Sequence, residues 1–263
     1  MILSDKLFAQ GILKDLESSA WYRYSSPEEF YPLAGALIPW LAAAALIACT
    51  AGLYPGFFVV SLDARQGEVA RILFIHVPAY WASMLLCLFT ATLAAIGLSF
   101  NARLAAMATM ALAPTGLTFA FLDVWSGCIW NNAVWGDWWQ PNPGTFSALA
   151  LALFYLVFIV LHTATEDWER ANKACVLLLL AGAVSILVDF ASMQSWTAQQ
   201  PGTLPGTTGE IRLGTVELAS LLMTGLGFLA YGGAAALLRL RCVILESACR
   251  SMWLAQRQGR SVP

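Results

Sequence analysis

Six stretches of this chain, 33–54, 71–99, 103–127, 144–163, 174–194 and 213–238, each supply about 20 mostly apolar residues, the length a helix needs to cross the hydrocarbon core of a bilayer. Without water to satisfy the backbone, only helices and closed barrels can span a membrane, and apolar runs this long are helical in length and pattern. Only 11% of the 263 residues are charged, against roughly 25% in soluble domains. The expected fold is all-α: one integral membrane domain over residues 1–263 with six transmembrane helices. The second stretch is long enough to tilt or to begin as an interfacial turn. Pro78 stands in its first turns, where a missing N–H does least harm.

The formal net charge of −2 excludes a basic nucleic-acid binder. The six cysteines form no C-x-x-C pair and show no metal-ligand spacing, so they read as small apolar residues in helices. The first thirty residues are polar and net acidic, unlike the basic and apolar regions of a signal peptide.

Lysine and arginine set the orientation. With the N-terminus cytoplasmic, the inner side holds Lys6, Lys14, Arg23, Arg103, Arg170, Lys173, Arg239, Arg241, Arg250, Arg257 and Arg260. The outer side holds only Arg65, Arg71 and Arg212. Eleven cations against three put both termini inside. The segment from about 239 to 263 alternates basic and apolar residues, as a short amphipathic helix on the inner surface would.

This orientation gathers an unusual set of residues at the outer face. Between the third and fourth spans runs CIWNNAVWGDWWQPNPGTF, Cys128 to Phe146, an external tryptophan-rich loop with Trp130, Trp135, Trp138 and Trp139 and no lysine or arginine. Four indoles make either an ordinary aromatic belt or a broad apolar surface for a large planar ligand. Near its level lie His76, Asp123, Cys128, Asp189 and Glu217. Ionisable residues inside spans are costly and are functional or paired; the alternative for the three carboxylates is helix capping. His162, the only other histidine, ends the fourth span on the opposite face, so the two cannot ligate one haem together. His76 stands under the aromatic loop, where neutral imidazole is able to bind iron.

Two segments then carry a family resemblance. DARQGEVARILFIHVPAYW, Asp63 to Trp81, keeps Gln66, Gly67, Glu68, Arg71, His76, Val77, Pro78 and Trp81 of a Q-G-E…R-I…H-V-P…W pattern. ALAPTGLTFAFLDVWSGCIWNNAVWGDWW, Ala111 to Trp139, leads into a W-G-x-W-W run. Together with the six-span layout, they make the chain similar to the CcmC-type haem-handling proteins of cytochrome c maturation, in the wider CcmC, CcmF and CcsA group. The resemblance implies non-covalent haem b bound at the outer face of a bacterial inner membrane. His76 would be the metal ligand, with Trp130, Trp135, Trp138, Trp139, Trp196 and Gln199 around the macrocycle, and Arg65, Arg71 or Arg212, the only cations on that side, are the candidates to pair with its propionates. It also implies two partners, an ABC-type maturation complex in the membrane and a periplasmic haem chaperone that receives the haem. The role is haem handling, with no catalytic residue of its own.

The sequence departs from that pattern at two places. Pro141 stands where a third tryptophan is expected, Asn142 replaces an aspartate and Gly144 an arginine. In FASMQSWTAQQPGTL, Gln199 occupies the position of a second family histidine. The alternative reading is a degenerate family member that serves as a structural subunit of a larger membrane complex.

Overall fold

The computed structural model describes residues 26–60, 67–164 and 214–257, together with residues 182, 184 and 187. These form five long helices and one 3-10 turn: α1 (Pro27–Phe58), η1 (Glu68–Ile72), α2 (Leu73–Ser99), α3 (Arg103–Trp135), α4 (Pro143–Ala164) and α5 (Thr215–Arg257). All five are long and apolar enough to cross a membrane. They correspond to the expected first, second, third, fourth and sixth spans. Of the expected fifth, 174–194, only Gly182, Val184 and Leu187 are described, each helical.

Helix ends follow local chemistry. α1 starts at Ser26, whose hydroxyl accepts from Glu29 N (3.3 Å), with Pro27 opening the helix and Glu28 and Glu29 in its first turn. That arrangement satisfies an orphan donor and sets acids against the positive end of the helix dipole. The α2–α3 turn passes through Asn101 at φ 50°, a left-handed conformation that asparagine tolerates. α4 begins with a reciprocal cap: Thr145 N donates to Asn142 Oδ1 (3.0 Å) and Asn142 N to Thr145 Oγ1 (3.2 Å). At the start of α5, Gly214 N donates to the Glu217 carboxylate.

α3 is the centre of the bundle, packing against α2, α4, α5 and η1, while α1 lies outside, chiefly against α5. In lipid, helices associate by close packing rather than by escape from water, so small residues mark the contacts. At the α1–α5 contact, a methyl group on Gly52 would sit 2.5 Å from Thr224 N and 2.7 Å from Ser220 O; one on Gly227 would sit 2.7 Å from Cys49 N. At the bundle centre Tyr155 of α4 lies across Gly116 of α3 and donates its hydroxyl to Ser83 O of α2 (2.9 Å). Around this clamp Cys87, Ala91, Ala113, Ala120, Leu151 and Phe158 are buried. Gly182 joins it, its Cβ position 3.2 Å from Cys87 Sγ and 3.6 Å from Phe154.

Two expectations are revised. The third span does not end at 127. α3 continues to Trp135, because Cys128–Trp135 contains no helix breaker and the stop comes only at Gly136 (φ 82°), whose N–H closes on Asn132 O (3.0 Å). The connection to α4 is therefore residues 136–142, far shorter than the expected 128–146 loop. α5 also runs unbroken from Thr215 to Arg257, about 64 Å at 1.5 Å per residue. The segment expected as a separate tail after 239 thus begins as a continuation of the sixth span.

Cations gather at one end of the bundle. Arg103 Nη2 donates to Ser247 Oγ (2.6 Å), Arg239 Nη1 to Thr115 Oγ1 (2.9 Å), and the Arg241 guanidinium stacks 4.3 Å from the Tyr31 ring centre. These contacts tie α1, α3 and α5 together; Ser247 and Tyr31 lie at the end opposite His76, whereas Arg239 reaches inward to Thr115, next to Gly116 at the bundle centre.

The clamp gives a direct test of the packing. A Gly116→Ala side chain falls on the buried Tyr155 ring, so the variant should lose about 1–3 kcal/mol of stability. Adding Tyr155→Ala should restore part of the Gly116→Ala loss in a double-mutant cycle. The measurement is unfolding in mixed detergent micelles, and additive losses would refute the contact.

Candidate functional site

The His76 end of the bundle is assembled from the start of α2, the end of α3 and the turn η1 that packs on both. His76 lies in the first turn of α2, with its side chain about one-third exposed at 36%. One edge of the ring is held by α3. Nδ1 lies 3.1 Å from Asp123 O, 3.1 Å from Ser126 Oγ and 3.0 Å from Asp123 Oδ1. Hydrogen-bond geometry is met at the carbonyl and the hydroxyl, and the carboxylate oxygen stands at ion-pair distance. Asp123 and Ser126 are both buried, at 1% and 5% exposure. The ring also lies against Gly127, where a methyl group would come 3.2 Å from His76 Cε1. Residues 123, 126 and 127 are spaced i, i+3, i+4 and so share one face of α3. Asp123 is recognisable from sequence as a carboxyl near this level. Ser126 and Gly127 are not, although helical spacing from Asp123 would have found them.

Arg71 lies on η1, five residues before His76. Its Nε donates to Glu68 Oε2 (2.6 Å), while Nη1 is buried with no hydrogen-bond partner among the described residues. A buried guanidinium nitrogen left unpaired is costly, and a carboxylate entering beside it would satisfy it.

The tryptophans are distributed between helix and connection. Trp130 and Trp135 ride on the last turns of α3; Trp138 and Trp139 lie on the 136–142 connection. Trp130 is half-buried and the other three are exposed. Trp139 is fixed edge-on against Phe146 of α4, with ring centres 5.8 Å apart. On α3, one turn before Ile129, Trp125 stacks on Phe121 at 6.2 Å. Trp196, Gln199, Asp189, Arg65 and Arg212 lie outside the described residues. Of the three carboxylates expected near this face, Asp123 meets His76 and Glu217 caps α5.

His162 sits in the last turn of α4, next to Phe158, at the other end. His76 precedes Ser83 by seven residues and His162 follows Tyr155 by seven, on either side of the Ser83–Tyr155 bond. At 1.5 Å per residue the two imidazoles are therefore about 20 Å apart along the bundle, too far to share one iron. Among the described residues no three His, Cys, Asp or Glu side chains gather as a metal site. A single partly open imidazole suits a metal that brings its other ligands with it.

These features define a multi-pass helical membrane protein with one imidazole presented at one end of its bundle beside exposed tryptophans. The sequence matches the family described as Heme exporter protein C (CcmC) over residues 20–255. It is 31% identical over 242 residues to the Heme exporter protein C of Escherichia coli K12, covering 91% of this chain and 98% of that relative. The protein of the same name from Bradyrhizobium diazoefficiens is 33% identical over 234 residues (88% of each chain). The one from Paracoccus denitrificans is 32% identical over 228 residues, 86% of this chain and 93% of the relative. The chain belongs to the heme exporter protein C family.

The seat of His76 is testable without any ligand. Gly127→Val places branched carbons where even a Cβ stands 3.2 Å from the ring, so the imidazole must tilt away from Ser126. In histidine-labelled protein the His76 resonances should move while those of His162 stay. Equal or absent shifts at both would refute the contact.

Proposed function

We propose that this chain binds haem b at the outer face of a bacterial inner membrane through His76 and presents it to a periplasmic haem chaperone during cytochrome c maturation. The observation that carries this reading is His76 itself: held along one edge by α3, about one-third exposed, and the only imidazole at that end among the described residues. Membership of a family whose curated relatives are named heme exporters supports it.

The chain's residues divide the work by chemistry. Haem supplies an iron with four ligands already in place and two propionates. The His76 imidazole would supply a nitrogen ligand to that iron. The unpaired Nη1 of Arg71 offers a charge-assisted hydrogen bond to a propionate, with Glu68 holding the guanidinium from behind. Trp135, Trp138 and Trp139 are exposed and offer indole surface suited to covering a macrocycle; Trp130 and Trp196 complete the proposed set. Gln199 stands where the resemblance places a second histidine, so a second ligand to the iron would be weak, absent or supplied by a partner. Both termini are cytoplasmic in this reading, which sets the 136–142 connection outside. The cation-rich opposite end then faces the cytoplasm, where an ABC-type complex would dock.

One observation favours a structural role instead. Asn142, at the position of the family's aspartate, is used to cap α4 with Thr145. A chain that has given its loop residues to helix capping could serve as a fixed subunit of a larger assembly.

A spectrum of the purified protein separates the two readings. Haem handling gives a Soret band that His76→Ala abolishes or strongly shifts, that His162→Ala leaves alone, and that Gln199→His moves toward a six-coordinate, low-spin form. A colourless, well-folded preparation supports the structural role. Bound haem indifferent to His76→Ala would remove the ligand assignment. The orientation is checked separately by single-cysteine labelling at Asp137, which an impermeant reagent should reach from the periplasm and not from the cytoplasm.

A further inference from the structure

We infer that the end of α3 selects the nitrogen through which His76 acts: Asp123 and Ser126 hold the ring as the Nδ1–H tautomer, so that Nε2 carries the free lone pair. This makes both residues positioning residues, and their purpose rests on the haem-binding reading above.

The selection follows from what surrounds Nδ1. The Asp123 carbonyl, 3.1 Å away, can only accept. The Ser126 hydroxyl lies closest to Leu122 O at 2.7 Å, with Asp123 O at 3.1 Å; with its single proton given to Leu122 O it meets Nδ1 with a lone pair. Asp123 Oδ1 adds a third oxygen at 3.0 Å. A deprotonated Nδ1 would aim its lone pair at two others in a site where Asp123 and Ser126 are buried from solvent. With the proton on Nδ1, both hydrogen-bond geometries are satisfied and Nε2 becomes the donor atom. The backbone back-bond of Ser126 is what fixes this, since a serine mid-helix ordinarily returns its proton to the carbonyl four residues before. Gly127 contributes by leaving the edge of the ring at Cε1, between the two nitrogens, uncrowded.

The carboxylate adds an electronic effect to the geometric one. A metal-bound histidine commonly donates its other N–H to a carboxylate or a backbone carbonyl, which fixes the ring and makes it a stronger donor. Here a backbone carbonyl and a carboxylate of the same residue both stand at Nδ1. A more electron-rich Nε2 stabilises ferric iron over ferrous, so Asp123 should hold bound haem toward the ferric state.

Two measurements decide this. The first needs no haem: histidine-selective 15N NMR of the full chain in nanodiscs, with His162→Gln leaving His76 as the only signal. The inference requires Nδ1 protonated and Nε2 unprotonated. An Nε2–H tautomer overturns it, and Ser126→Ala should raise the Nε2–H fraction in the same spectrum. The second is redox titration of protein loaded with ferric haem b. Asp123→Asn should raise the ferrous-to-ferric ratio at fixed potential about tenfold, about 59 mV for one electron; an unchanged midpoint overturns the role of the carboxylate. An Nδ1–H tautomer in a protein that takes up no haem would refute the haem-binding reading and leave the tautomer selection standing.

Discussion

In hydrocarbon every backbone N–H and C=O must find its partner within its own helix, because no water is there to replace it. That requirement turns the chain into long uninterrupted helices and makes each polar side chain inside them accountable. The buried hydroxyls mostly meet it in the cheapest way, by returning their protons to carbonyls one turn earlier, as Thr90, Thr109, Ser126 and Thr224 do. Tyr155 is different. Its hydroxyl crosses to Ser83 O on another helix, and Gly116 provides the space for its ring. One long-range hydrogen bond and one missing side chain thus fix α2, α3 and α4 at a common register.

That register puts the candidate site where it is. With Ser83 level with Tyr155, the start of α2 meets the end of α3, and His76 comes against Asp123, Ser126 and Gly127. A shift of one helical turn, about 5.4 Å, would take the imidazole away from all three oxygens at Nδ1. The same packing separates the two ends chemically. Arg103 and Arg241 find hydroxyl and aromatic partners at the end far from His76, while the His76 end exposes three tryptophans.

Much of this was legible in the sequence because the bilayer enforces a coarse code. Apolar runs located the five described spans to within a few residues at most of their ends, and the family segment around His76 singled out the residue that the bundle presents. The errors came where local continuity outweighs composition. Tryptophan, asparagine and glycine between 128 and 136 suggested a loop, yet asparagine and tryptophan are only mildly unfavourable in a helix, and the left-handed stop is supplied by Gly136 alone. Beyond 239 the change in composition suggested a separate tail, yet nothing there breaks the hydrogen-bond ladder of α5. The seat of His76 was the least legible part. Ser126 and Gly127 carry no chemical signature of their own, and their role exists only through the register that Tyr155 imposes. Asn142, which stands where the family pattern has an aspartate, supplies a helix cap.

The decisive question is whether His76 alone among this chain's histidines touches iron. Pulsed electron–nuclear double resonance on the ferric haem complex, prepared with 15N-histidine, counts the protein imidazole nitrogens coupled to the metal. One strongly coupled 15N, lost in His76→Ala and kept in His162→Ala, is the expected result. A complex with no coupled histidine nitrogen, or one whose coupling survives His76→Ala, would contradict it.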